Sequence, residues 1–349
     1  MLHILEELHP GMHVLIKPNL LLKRRPEEAT TTHPAVVEAI ILCLKRLGIH
    51  DITIADSPGG PFTKVTLGPI YEASGMAAVA ARTGASLNYN CSSYEQESPN
   101  GIRMKRFTLI SPVKEADYII NVPKLKTHGM MTLSGGVKNL FGTVPGLLKP
   151  ELHWRFPETE AFAGMLLDLA QTVSPNLTIC DGIVSMEGDG PSGGIPRQTG
   201  MLIGSKSPFL LDGFICKAIS LSSEKVPTVC LSVQRGLCPS DFDTIEIIGD
   251  KYYTFTDFAL PQSKSVDFTT RLPKPFRPMV NRILRSRPII RKEDCIGCGK
   301  CAESCPAKTI RIKNGKAQIE YDSCIRCFCC HEMCPVKAVD IHQFRLFRF

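Results

Sequence analysis

Eight cysteines repeat one spacing twice. Residues 295–306 read CIGCGKCAESCP and residues 324–335 read CIRCFCCHEMCP. Both fit C-x2-C-x2-C-x3-C-P, and each cysteine of the first run recurs 29 residues later in the second. Three closely spaced thiolates wrap one face of a cubane iron–sulfur cluster, and the remote fourth ligand comes from the other run. That rule assigns Cys295, Cys298, Cys301 and Cys334 to one cluster and Cys324, Cys327, Cys330 and Cys305 to a second. A pair of zinc sites is the competing reading. Zinc usually takes two short C-x-x-C clips, not three ligands plus one, twice over, with proline after the last. The remaining seven of the fifteen cysteines are scattered, and Cys329, off the pattern, is read as a bystander. This distribution points to a metal site plus buried thiols in a reducing compartment, not to disulfides.

A second chemistry-bearing stretch lies far upstream. NVPKLKTHGMMTLSGGVKNLFG, residues 121–142, carries Lys124, Lys126, His128 and Lys138, and no acid occurs between Tyr118 and Pro150. Positive charge without counter-charge, laced with Gly, Ser and Thr, suits an anionic ligand: cations face its charge and bare N–H groups its oxygens. Lys124, Lys126 and Lys138 are therefore read as anion-binding, and Gly135 and Gly136 as backbone donors. Further polar clusters stand at Lys17-Pro18-Asn19, at Asp56-Ser57-Pro58-Gly59-Gly60, at Asp181 and in EGDGPSGG from Glu187. Ser57 to Gly60 are expected to add donors, and His128 or Asp181 to carry the protons that reductions take up with electrons. Each has a plainer reading: SPGG as a turn, Lys17 paired with a surface acid, His128 as a polar loop residue, EGDGPSGG as a solvated hairpin. No G-x-x-x-x-G-K-[ST] is present and no G-x-G-x-x-G follows the first strand, so neither a P-loop nor a dinucleotide site is supported.

The elements that would position these residues alternate. HVLIK (13–17), DITIAD (51–56), ADYIINVP (116–123) and LTICDGIV (177–184) read as short buried strands. THPAVVEAIILCLKRLG (32–48), PIYEASGMAAVAARTG (69–84), ETEAFAGMLLDLAQTV (158–173) and SPFLLDGFICKAISL (207–221) read as helices. In the first of these Pro34 belongs to the opening turn and Gly48 is the stop. The pattern predicts an α/β fold, a mainly parallel sheet flanked by helices, with a small α+β ferredoxin-type domain at the C-terminus. Such sheets bind ligands outside the carboxyl ends of their strands, where the polar clusters fall.

Two resemblances cover the chain. Residues 289–343, roughly, resemble bacterial-type ferredoxins with two [4Fe-4S] clusters, which implies low-potential one-electron transfer. Phe328 stands where the first half has Gly299 and is expected to shield the second cluster from water. VLIKPNLL, TTHPAVVEAII, ADSPGG, the 121–142 stretch, DGIVSMEGDGPSGG and SPFLLDGFICKAISL resemble the family catalogued as domain of unknown function 362. That resemblance implies iron–sulfur binding and a redox role without an assigned substrate. It also implies one pocket lined by Lys17, Asn19, Lys124, Lys126, Thr127, His128, Lys138, Asn139 and Glu187. Members usually place a strand and a helix ahead of the PGMHVLIKPN segment. This chain starts within that helix, so either the start is truncated or the sheet lacks the first strand.

Residues 1–262 are expected to form the α/β domain, 263–288 a basic proline-rich linker and 289–349 the two-cluster domain. RLPKPFRPMVNRILRSRPIIRK (271–292) holds eight Lys or Arg and no acid, with MVNRILRS read as a short helix. A nucleic-acid groove there, or at the basic RLFRF tail, is the weaker reading. Docking of an acidic electron donor or acceptor protein fits the charge sign. The net charge of +7 favours acidic partners or anionic substrates without demanding nucleic acid. No apolar run approaches the roughly 18 residues of a membrane span. MLHILEELHP has no basic start or small-residue cleavage site, so a cytoplasmic location is expected. Together these features predict an iron–sulfur oxidoreductase passing electrons from its ferredoxin domain to an anionic small molecule at the α/β domain. A non-catalytic electron-transfer subunit and a non-redox phosphate-handling enzyme with structural clusters are the alternatives.

Overall fold

Buried apolar runs become the strands, and the amphipathic segments between them become helices. The computed structural model describes residues 7–261 and 286–342. The first half runs β1 (Val14–Pro18), α1 (Pro34–Arg46), β2 (Ile52–Ile54), α2 (Lys64–Ala73), α3 (Met76–Thr83) and β3 (Ser86–Leu87). A hairpin of β4 (Ser93–Glu97) and β5 (Arg106–Ile110) leads to β6 (Tyr118–Val122), β7 (Lys124–His128) and β8 (Thr132–Ser134). Then come α4 (Gly136–Asn139), α5 (Leu148–Arg155), α6 (Thr159–Val173), β9 (Leu177–Glu187), β10 (Ile195–Ser205), α7 (Pro208–Ala218) and α8 (Pro227–Gln234).

The main sheet has the order β3-β2-β1-β6-β9-β7-β8, with β10 also paired to β9. All pairings are parallel except β7 with β8 and β9 with β10. This is an α/β fold with a mainly parallel sheet flanked by helices. Both faces of β1 are covered, so VLIK reads apolar almost throughout. Val14 and Ile16 pack with Val37 and Ile41 of α1 on one side. Leu15 packs with Phe162 and Leu166 of α6 on the other.

Two local readings change. The 69–84 stretch is two helices, not one, because Gly75 turns left-handed at φ +78° between them. The segment after Val122, expected as a ligand loop, is strand β7, buried at every position. Pro123 ends β6, and the chain continues along β9, to which β6 is already paired, with Lys124 opposite Asp181.

The C-terminal domain holds β11 (Arg287–Ile290), α9 (Lys300–Glu303), β12 (Ile310–Lys313), β13 (Lys316–Ile319), α10 (Cys329–Glu332) and β14 (Val339–His342). β11 pairs with β14 and β12 with β13, both antiparallel. The duplication is visible in the backbone. Gly297 and Gly299 have φ of +66° and +77°, and 29 residues on, Arg326 and Phe328 hold +57° and +62°. The second half therefore keeps the left-handed turns at non-glycine residues, at a steric cost. Phe328 is buried.

The two domains meet along the second half. Arg24 Nη2 donates to Cys334 O (3.0 Å), Ser192 Oγ to Glu332 O (3.0 Å) and His331 Nε2 to Asp189 O (3.0 Å). Met333 comes so close to Gly59 that no Cβ would fit between them. The linker from 262 to 285, with MVNRILRS up to Arg285, and the RLFRF tail lie outside the described residues, as do residues 1–6. No helix among the described residues is long and apolar enough to cross a membrane.

Candidate functional site

A cavity of about 80 Å3 opens at the carboxyl ends of β1, β2 and β7. From the predicted set it gathers Lys17, Asn19, Ser57, Gly59, Gly60, Lys126, His128, Lys138 and Asn139. Asp56 and Ser134, from the same polar clusters, also line it. So do Lys149 and His153 of α5, which the sequence reading missed, although Lys149 lies inside the acid-free run. The C-terminal domain contributes Ser304, Cys329, Glu332 and Met333 to the wall. Cys329, read as a bystander, thus faces the cavity.

Counting protons separates structural lysines from available ones. Lys17 Nζ donates to Asn139 Oδ1 (3.1 Å) and Pro18 O (3.0 Å) and forms an ion pair with Asp56 Oδ1 (2.8 Å), so it is committed within the protein. Lys149 Nζ donates to Ser57 O (2.6 Å), Ser57 Oγ (3.1 Å) and Pro58 O (3.0 Å) and is equally committed. Lys126 Nζ donates to Asn19 Oδ1 (2.8 Å) and Thr30 O (2.7 Å), which leaves one proton. Lys138 has no hydrogen bond or ion pair among the described residues; its ammonium lies 4.7 Å from the Phe141 ring centroid. Asn19 donates to Asn139 Oδ1 (2.8 Å) and Asn139 to Asn121 Oδ1 (2.8 Å). The asparagines therefore aim the lysines and are themselves occupied.

His128 is held as one tautomer. Its Nδ1 accepts from the amides of Met130 (3.1 Å) and Met131 (3.3 Å), so the ring proton sits on Nε2. Burial lowers its pKa, against the pull of Glu332, which agrees with a neutral ring. Nε2 stands 3.2 Å from Glu332 Oε1 but out of line for a hydrogen bond, and neither atom has another partner among the described residues. Burial pushes the Glu332 carboxyl up, but His128, Lys138 and His153 outweigh it and hold it down at about 2. His153 lies flat on Phe162, with centroids 4.1 Å apart, and its Nδ1 is buried without a partner. Burial pulls it down to about 3, so this ring is neutral too.

Six predicted residues lie off the cavity. Lys124 and Asp181 form a fully buried pair (2.9 Å), and Asp181 also accepts from His33 N (2.8 Å). Thr127 Oγ1 donates to Gly188 O (2.7 Å). The amides of Gly136 and Val137 donate to Asp212 (2.5 and 3.1 Å), whose carboxyl group packs against Gly135, so the protein supplies its own acceptor there; burial pushes this carboxyl up to about 7, against the two amides. Glu187 pairs with Arg197 (3.0 Å) and accepts from Ala259 N (3.0 Å).

Cys295, Cys298, Cys301 and Cys334 surround a small cavity walled by Ile290, Ile296, Ile312 and Val339. Burial pushes the Cys301 thiol up to about 11, with the other three sulfurs adding to it. Burial likewise raises Cys324 and Cys330, each with Cys327 and Cys305 adding. Amides point at the sulfurs: Ala317 to Cys295 (3.3 Å), Thr309 to Cys305 (3.4 Å) and Ala338 to Cys334 (3.1 Å). The last two are related by the 29-residue repeat. Thiols in apolar walls, with N–H donors to sulfur, fit iron–sulfur clusters.

Comparison with known proteins agrees. Residues 14–217 match the family described as Domain of unknown function (DUF362), and residues 287–335 match the 4Fe-4S dicluster domain. The C-terminal domain is thus a 4Fe-4S-binding domain. Thylakoid-associated protein sll1697 of Synechocystis sp. (strain ATCC 27184 / PCC 6803 / Kazusa) is 34% identical over 237 residues, covering 66% of this chain and 70% of that protein. Among solved structures, the lactate racemase apoprotein from Thermoanaerobacterium thermosaccharolyticum shares 14% identity at a TM-score of 0.40. That match covers 61% of this chain and 51%, about half, of the other.

Proposed function

The chain belongs to the DUF362 family and carries a 4Fe-4S domain behind it, and on that premise we propose an oxidoreductase with two [4Fe-4S] clusters that passes electrons to a small anion in the cavity. The observation that carries this reading is the shared wall: residues of both domains, Lys126 and Lys138 on one side and Cys329 and Glu332 on the other, close one cavity. Bound clusters supply single electrons at low potential. Lys138 and the spare proton of Lys126 hold the anion, and Lys126 gives a proton as charge accumulates. His128, with Nδ1 occupied, offers its Nε2–H as a hydrogen-bond donor. Asp181, committed to Lys124, is the structural member of the predicted pair.

The two quartets differ in access. Cys298 is exposed beside Ile296, Ile312 and Val336, and the adjacent β12–β13 hairpin carries Arg311, Lys313 and Lys316 without an acid. This supports entry of electrons there from an acidic carrier protein in a reducing cytoplasm, with exit by the second quartet next to Cys329.

An anion beside the second cluster opposes its reduction. Saturating acetate is therefore expected to lower one of two midpoint potentials in EPR-monitored titrations by tens of millivolts, and to leave the other in place. Cys324→Ala should remove the signal that moves. Acetate that binds by calorimetry yet shifts neither potential, or a wild-type chain with one cluster, would sink the reading.

The pH dependence follows from Lys126. Burial pulls it down to about 7, with Lys138 and Lys124 adding and Glu332 and Asp56 opposing. An amine with a folded pKa below its unfolded value loses its charge in the folded chain first, as pH rises through about 7. Acetate stays ionised throughout that window. Its affinity is thus expected to fall, by at most about tenfold per pH unit above 7, and to lose most of this dependence in Lys126→Met.

A further inference from the structure

Six buried side-chain atoms lack a hydrogen-bond partner among the described residues, and four of them, on Asp56, His128, His153 and Glu332, line this one cavity. Asp56 Oδ1 has the Lys17 ammonium beside it, and His128 Nε2 and Glu332 Oε1 stand 3.2 Å apart without the alignment of a hydrogen bond, so each of these two still lacks a partner in line. Buried polar atoms left unpaired cost roughly 1–3 kcal/mol each, so such a concentration marks a place that a polar ligand completes. The atoms are not all of one kind. Lys138, the spare proton of Lys126 and His128 Nε2–H are donors, whereas Glu332 Oε1 is an acceptor. A plain anion satisfies the donors and leaves the carboxylate facing it, like charge against like. The ligand that satisfies both carries a negative group and, next to it, a hydrogen-bond donor.

We infer that the cavity takes a small hydroxycarboxylate, its carboxylate on Lys138 and Lys126 and its hydroxyl donating to Glu332 Oε1. This rests on the reading of the cavity as an anion site and adds the substrate class. The balance of free donors and acceptors selects hydroxyl over ammonium as the donor. Lys138, the spare proton of Lys126 and His128 Nε2–H outnumber the one free acceptor, Glu332 Oε1, which favours a ligand richer in acceptors than a zwitterion. Glu332 selects carboxylate over a fully ionised phosphate or sulfate, whose every oxygen would be an acceptor turned toward it. The volume of about 80 Å3 admits only a few non-hydrogen atoms. His153 Nδ1, fixed by its stacking on Phe162, serves as a further polar contact for the hydroxyl end.

The test is calorimetric, on the full chain with its clusters loaded, using glycolate, acetate, glycine and inorganic phosphate as probes. Glycolate is expected to bind at least tenfold more tightly than acetate, and glycine and phosphate more weakly than glycolate. Glu332→Met should erase the glycolate preference, bringing the ratio of glycolate to acetate affinity to about one, which a merely loosened fold does not produce. The wild-type ratio stands by itself if that variant fails to load its clusters. Equal affinities for glycolate and acetate in the wild type, both lost in Lys138→Met, would overturn the hydroxycarboxylate while leaving the anion site intact. Phosphate binding as tightly as glycolate would overturn it too. Binding of none of the four would overturn the anion site itself.

Discussion

Replacing Lys138 by methionine is expected to cost roughly 100-fold in acetate affinity while the fold and both cluster signals survive. Truncating one partner of a desolvated charge pair loses about 2–5 kcal/mol of binding, and each 1.4 kcal/mol is tenfold. The fold should tolerate the change because the Lys138 ammonium bonds to no described side chain or carbonyl, so its removal orphans nothing. Methionine matches its length and packs well on the Phe141 and Phe162 rings that now sit 4.7 and 6.0 Å from the ammonium. Lys17→Met is the instructive contrast. It would strand Asp56, buried and bonded to Leu20 N (2.7 Å), and should damage the fold first. Acetate titrations with EPR spectra of each variant separate the cases. Unchanged acetate affinity in Lys138→Met would remove this lysine from the site.

The second large effect is on stability. Asp181→Ala is expected to destabilise the α/β domain by roughly 3–5 kcal/mol, because it leaves the Lys124 ammonium buried without a counter-charge. Both side chains are wholly inaccessible, and Asp181 also ties the start of α1 to β9 through His33 N. The pair holds β7 in register, and β7 carries Lys126 and His128 into the cavity. Chemical denaturation of the wild type, Asp181→Ala and the double variant Lys124→Met/Asp181→Leu decides the matter. The double variant should recover much of the loss, since an apolar pair of similar volume avoids the desolvation penalty. Wild-type stability in Asp181→Ala, with activity lost, would instead make Asp181 a catalytic group.

The 4Fe-4S domain was legible in the sequence because its signature is local and repeated: three thiols within seven residues, twice, with a fixed offset. The strands and most helices were legible too, since burial on both faces leaves long apolar runs such as VLIK and YII. β7 escaped because its pattern is inverted. KLKTH alternates with a period of two, as a strand does, but its polar set faces a closed site and its lysines are buried in place of apolar residues. The alternation was the available signal, and polarity argued against it. Which lysines are spent and which are free was invisible, since Lys17 and Lys149 are committed to acceptors distant in sequence. Glu332 and Cys329 were beyond reach for another reason. They enter the site only through docking of the second domain, which no local pattern encodes.

The C-terminal share of the cavity wall comes mostly from Cys329, Glu332 and Met333, and these residues sit among three thiols assigned as ligands, Cys327, Cys330 and Cys334. The seam that seats this wall is made largely to backbone oxygens, those of Glu332, Cys334 and Asp189. It therefore reads the path of the chain more than the identity of its side chains. If bound clusters organise this half of the chain, as the proposed function supposes, the pocket is finished only once they are in place, and maturation and ligand capture become one event.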